Sequence, residues 1–164
     1  MECKRLTDVQ LDALSVEAAR RERLRLNHNC HASLDDPIQR LCNAFEPGTY
    51  VRPHRHLQKD RWELFVALRG RAVVLTFDES GVVIERITLG GEMDARIVEI
   101  APGVVHAIAS LEAGTILFEV KAGPYEVMID KDFASWAPKE GDVASVDLVR
   151  WYVEAKPGER FGAG

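Results

Sequence analysis

The chain has 164 residues, 46% of them hydrophobic, with 21 basic and 26 acidic side chains and a formal net charge of −5. That size suits one domain with its own core, and the acidic balance argues against nucleic acid as the main partner. The three cysteines, Cys3, Cys30 and Cys42, are odd in number and form no CxxC pair, so no disulfide framework is expected. The opening MECKRLTDVQLDAL lacks an apolar signal core, and no apolar run approaches about 18 residues. A cytoplasmic domain without a membrane span is therefore expected.

In chain order, residues 7–25 read as a helix. Thr7 and Gln10 form a capping-box pattern, and Leu11, Leu14 and Ala18 recur on one face. The cluster Arg20, Arg21, Arg23 and Arg25 then falls at the helix end, where cations complement the dipole. From Asp36 onward eight short runs alternate with turn signals: IQRLCNAF, TYVRPHRH, WELFVALR, AVVLTF, VVIERITL, RIVEI, VVHAIASL and TILFEVK. Strands at this spacing predict an all-β sandwich or barrel, and eight suit a jelly roll. DESG, residues 78–81, is the clearest hairpin turn. After Gly123 the pattern breaks, until EGDVASVDLVRWYVEA predicts a terminal helix with Leu148, Trp151, Tyr152 and Ala155 on its apolar face. The expected division is an N-terminal helical extension over 1–30, a barrel over 31–125 and a packing segment over 126–164.

The chemistry concentrates in GTYVRPHRHLQKDRWELFVALRG, residues 48–70. If TYVRPHRH is a strand, His54 and His56 share a face with Arg52 and Tyr50. Alternate residues on a strand lie roughly 6.5–7 Å apart, and two imidazoles so placed can converge on one cation. Pro53 removes a ladder donor and predicts an edge or a bulge. WELFVALR is apolar on both faces except at Glu63. A carboxylate there must be exposed, paired or bound to a metal, and its parity with Phe65 and Ala67 turns it toward the histidines. Asp60, in the polar loop LQKDR, is the alternative carboxylate ligand. His106, just after the Pro-Gly turn of EIAPGVVHAI, is a third histidine that a turn can aim inward.

The stretch resembles the first cupin motif: Gly48, five residues, His54-Arg55-His56, then Glu63, six residues and Gly70. Pro102, Gly103 and His106 resemble part of the second. More of the chain, from NHNCHASLDDPIQRLCNAFEPGTYVRPHRH through RWELFVALRG, LFEVKAGPY and DKDFASWAP, resembles the WbuC-type cupin metalloproteins associated with O-antigen and other surface-polysaccharide clusters. The resemblance implies a cupin jelly-roll β-barrel (a double-stranded β-helix) with an N-terminal and a short C-terminal helix. It implies His54, His56, Glu63 and His106 as ligands of one divalent transition metal, Fe, Mn, Ni, Co or Zn, with open coordination positions.

Further candidates surround that set. His31 could cap the barrel mouth, and His28 is a weaker candidate. Asn43, inside an apolar run, faces the cavity or bonds a neighbouring loop. Arg52, if it points inward, needs a carboxylate or an anionic ligand, and Arg40 is a lesser case. Glu119 and Lys121 share a face, as an internal or an exposed pair. Tyr125 and Lys131 flank the mouth on the family pattern. The functional expectation is a metal-binding cupin that acts on or binds a sugar or sugar-nucleotide, with a small anionic or sugar-like ligand. A non-catalytic sensor and a metal-free epimerase with a Tyr acid are the alternatives. The doubly apolar WELFVALR predicts a homodimer through that sheet.

Overall fold

The computed structural model describes residues 3–92 and 94–162. Helix α1 (Asp8–Ala19) leads into β1 (Arg25–Asn29), β2 (Ile38–Phe45), β3 (Glu63–Arg69), β4 (Ala72–Phe77), β5 (Val83–Leu89), β6 (Ile97–Ile100), β7 (Val105–Ser110) and β8 (Thr115–Ala122). A single 3₁₀ turn (Asp130–Asp132) and α2 (Val143–Glu154) complete the chain. The strands form two antiparallel sheets, ordered β1-β2-β8-β3-β6 and β5-β4-β7. The result is a jelly roll with a helix on each outer face.

Side-chain alternation sorts the chain into these layers. Between the sheets, Phe45, Phe65, Leu117 and Ile100 of the larger sheet meet Ala72, Val74, Leu89 and Ile108. The opposite parity of β4 and β7, including Val73, Leu75, Ala107 and Ala109, packs against Leu148, Val149 and Tyr152 of α2. That is why AVVLTF and VHAIAS read as continuous apolar runs: both faces of the strand are covered. On the other side, Leu11 and Ala18 of α1 bury Cys42, Ala44 and Ile116. Each large side chain so buried contributes about 1.5–3 kcal/mol. Burial pushes the Cys42 thiol up to about 11, as suits an inert packing group.

Two turns show close approach or special backbone. Gly70 has φ +69°, and a Cβ there would sit 2.5 Å from Thr115 Oγ1 and 2.7 Å from its Cα. Only glycine lets the β3–β4 turn cross the start of β8. In DESG, Asp78 Oδ1 accepts hydrogen bonds from the Ser80 and Val82 amides, and Gly81 takes φ +90°.

Two expectations are corrected. The helix stops at Ala19, and Arg25–Asn29 is a strand that pairs with β2, inside the span expected as a helical extension. Leu24, at φ +52°, makes the turn between them. TYVRPHRH is not a ladder strand. It runs extended and is held at His54 by bridges to His106 and Phe133, because Pro53 lacks the amide a ladder needs. No helix among the described residues is long and apolar enough to cross a membrane. On the outer face of β3 and its neighbour, Leu68 is 49% and Ile97 56% exposed.

Candidate metal centre

His54 reaches the barrel interior on its extended segment, clamped by mutual backbone bonds with His106 of 3.0 and 2.8 Å. Glu63 opens β3 and shares its inward parity with Phe65. His106 lies on β7, opposite Thr76 of β4, on the same parity as Ile108. These elements bring ligand atoms of His54, Glu63 and His106 within 4.8 Å of one another, a group that could hold a metal ion. Glu63 and His106 are 3% and 2% exposed. His56 is one step out: its Nε2 is 3.0 Å from Glu63 Oε1, and its ring is 5.4 Å from that of His54.

The tautomers follow from the partners. His54 Nδ1 lies 2.9 Å from the Arg52 carbonyl, and His106 Nδ1 lies 2.9 Å from the Val104 carbonyl. A carbonyl only accepts, so both Nδ1 atoms carry a proton and each ring turns its Nε2 to the interior, where a neutral ring would present a lone pair. A backbone carbonyl on the second ring nitrogen is also the usual setting of a metal-bound histidine. His106 Nε2 is 3.0 Å from Glu63 Oε2. Two acceptors at that distance require a proton or a cation between them, so the donor set fits a metal ion.

A polar strip continues from the group across the barrel floor. Lys121 Nζ donates to Glu63 Oε1 at 3.1 Å and pairs with Glu119 Oε1 at 2.6 Å. Asn43 Nδ2 donates to Glu119 Oε2 at 2.6 Å. Glu119 and Lys121 are thus an internal pair, and Asn43 faces the cavity. Burial opposes the Glu63 charge, but Lys121, His106 and His56 reverse this and hold its carboxyl well below the usual range. Burial lifts Glu119 above that range, even though Lys121 pulls the other way, because Glu63 adds to the lift. Burial alone would lower Lys121, yet Glu119 and Glu63 raise it above its ordinary value. Burial, with His106 beside it, pushes His54 down to about 3. His54 therefore stays neutral, as a ligand must.

Two cavities meet at this group. The larger, about 650 Å³, is lined by His106, Asn43 and Glu119 together with Phe45, Phe65 and Ile108. The smaller, about 130 Å³, lies beside His56, Arg61 and Tyr125. His54, Glu63 and Lys121 line both.

Other expected site residues lie elsewhere. Asp60 is exposed and lines neither cavity, so Glu63 is the carboxylate beside the histidines. Tyr50 is a core residue: its hydroxyl donates to the Pro138 carbonyl at 2.8 Å and its ring stacks on Tyr152. Arg52 lies 4.6 Å over the Phe133 ring, a cation–π contact that replaces the expected anionic partner, and it lines neither cavity. His31 Nδ1 accepts the Arg40 amide at 3.1 Å outside both cavities, and Arg40 pairs with Asp36. Tyr125 borders the smaller cavity only and is half exposed.

Some lining residues were not anticipated. Gln39 shares the inward parity of Asn43 and borders the smaller cavity, a signal that alternation along IQRLCNAF carries. Arg61 binds the Ala122 and Pro124 carbonyls beside the same cavity, and no pattern marks it. Arg21, Arg23 and Arg25, read as a solvated helix end, stand at the larger mouth, where Glu140 pairs with Arg23 and Arg25 at 2.8 and 2.9 Å.

Two antiparallel sheets in a jelly roll, with histidines and a carboxylate converging inside, define a cupin-fold protein. The chain belongs to the family described as a domain of unknown function, DUF6016, whose model matches residues 6–89. No curated protein matches it in sequence. Among solved structures it is similar to the TT1209 protein from Thermus thermophilus, at TM-score 0.52 and 20% identity over 74% of this chain and 97% of that one. The conserved SPY1581 protein of unknown function from Streptococcus pyogenes matches at TM-score 0.50 and 12% identity, over 77% and 93%. A cupin superfamily protein from Desulfitobacterium hafniense matches at TM-score 0.47 and 22% identity, over 62% and 80%. At 20% and 12% identity, the first two likenesses are of fold alone.

Proposed function

We propose that the protein binds one divalent transition metal through His54, His56, Glu63 and His106. We propose that it uses this centre to bind or act on a small sugar-like or anionic molecule held in the larger cavity. The observation that carries the reading is the facing pair of acceptors, His106 Nε2 and Glu63 Oε2, 3.0 Å apart with the His106 Nδ1 proton already committed. Three imidazoles and a carboxylate suit Fe, Mn, Co, Ni or Zn and leave coordination positions open. A metal so held supplies Lewis-acid polarisation of a bound oxygen or activation of a water. Lys121, Glu119 and Asn43 offer donors and acceptors to a ligand, and Phe45, Phe65 and Ile108 offer apolar surface. A ring with hydroxyls on its edge and C–H groups on its face fits such a lining. The sequence likeness to WbuC-type cupins supports a place in surface-polysaccharide metabolism. The exposed apolar side chains Leu68 and Ile97 support pairing of two copies through the larger sheet.

Metal analysis of the purified chain tests the reading. About one equivalent of a transition metal, retained or restored on reconstitution, supports it. Less than about a tenth of an equivalent after reconstitution sinks it. Turnover of nucleotide-sugars by the wild type but not by His54→Ala would mark an enzyme, and binding without turnover a sensor. A metal-free epimerase with a tyrosine acid is the alternative and predicts activity that survives chelation; Tyr125, on the smaller cavity, is the tyrosine that borders the centre among the described residues.

A further inference from the structure

The two cavities differ in size and in which histidines line them. The larger lies within the range of small-molecule sites, about 300–1,000 Å³. The smaller falls below that range. At a share of about 30 Å³ per molecule, its 130 Å³ holds only a few waters. The polar side chains on its border include Gln58, Arg61, Glu126, Asp132 and Lys121. His106 borders only the larger cavity and His56 only the smaller, while His54 and Glu63 face both. The histidine–carboxylate group is therefore a partition between two chambers, not the floor of one.

We infer that the centre is served from two sides: an organic ligand enters through the larger cavity, and a water-sized neutral or anionic donor reaches the same centre through the smaller one. The inference rests on the metal reading above. The roof of the small chamber is the segment after β8. It is tied down at Glu126, whose carboxylate accepts from Gln58 Nε2 at 2.8 Å and from Arg61 at 2.9 Å. Arg61 is itself anchored to the Ala122 and Pro124 carbonyls. That latch sets the width of the small entrance and leaves the large mouth, at Arg21, Arg23 and Arg25, untouched. The division lets the small donor exchange while the organic ligand fills the larger chamber.

The test loads the full chain with Co(II) and follows azide binding by stopped-flow absorbance of the cobalt bands. Met128→Trp fills the small chamber, Leu41→Trp narrows the large one, and Glu126→Ala releases the latch. Met128→Trp is expected to slow azide association by about tenfold or more, Leu41→Trp to leave it within about twofold, and Glu126→Ala to speed it, all at unchanged cobalt stoichiometry. Glu126 lies at the surface, so its variant reports even if Met128→Trp folds poorly. Azide rates that fall with Leu41→Trp, or that ignore both small-chamber variants, overturn the two-sided centre while the metal reading stands. Failure of the wild type to take up cobalt overturns both.

Discussion

His106 Nε2 and Glu63 Oε2 face each other at 3.0 Å from two different sheets, β7 in one and β3 in the other. The contact ties the sheets at the point where the apolar filling between them gives way to polar side chains. With the His106 Nδ1 proton on the Val104 carbonyl, only a cation or an added proton makes the contact favourable.

Glu63→Gln should therefore abolish metal retention, while Asp60→Asn leaves it unchanged. Metal content after dialysis separates the two carboxylates directly. In the loaded wild type, chelation should lower the melting temperature. A ligand at about 100 times its dissociation constant stabilises the fold by about 2.7 kcal/mol.

Lys121 is the charge that lets two buried carboxylates coexist. Lys121→Met should destabilise the metal-free protein, toward the lower end of the about 3–5 kcal/mol seen when a buried pair loses one partner, because a quarter of the Lys121 side chain is exposed. A divalent ion returns positive charge to the same carboxylates, so metal should offset part of the loss. Urea melts with and without metal measure both effects.

Acid should weaken the metal-free protein before it reaches the ordinary carboxylate range. The fold keeps His54 neutral down to about 3, whereas an unfolded chain protonates it near 6.5. The unfolded state binds more protons across that window, so stability rises with pH between those values and is lost as pH falls. Glu63 acts in the same sense lower down: its depressed carboxyl contributes stability above 4.5 that disappears as pH falls through its folded value. Melts at about pH 7 and about pH 5 should differ, and His54→Gln should narrow that difference.

Tyr50→Phe should cost about 1 kcal/mol, the worth of one hydrogen bond to the Pro138 carbonyl, and leave metal content unaltered. A loss of metal would mean that Tyr50 acts on the site and not only on the core.

Alternation made β3 legible from the start. A lone carboxylate in an otherwise apolar strand had one inward direction, and Glu63 took it beside Phe65. On β8 the same rule put Glu119 and Lys121 on one face without saying which, and that face is the interior. It failed on residues 50–56, since Pro53 breaks the ladder and a bridge to Phe133 turns the segment. Arg52 then stacks on that ring, a partner about 80 residues away that no local pattern reveals. β1 was missed because RLNHN has almost no apolar signal: it is an edge strand whose role is to pair with β2. The four-layer order was hidden too, because apolar runs say that both faces are covered without saying by what.

The packing of α2 on β4 and β7 carries one more consequence. Ala107, on the next residue of the strand that bears His106, belongs to the same buried cluster as Leu148 and Tyr152. The position of one imidazole is thus set from behind, by a helix near the far end of the chain. Tyr152→Ala would leave every candidate ligand in place, yet it would loosen the wall on which His106 is mounted. Weaker metal retention in that variant would make the C-terminal helix a buttress of the centre as well as a cover for the sheet.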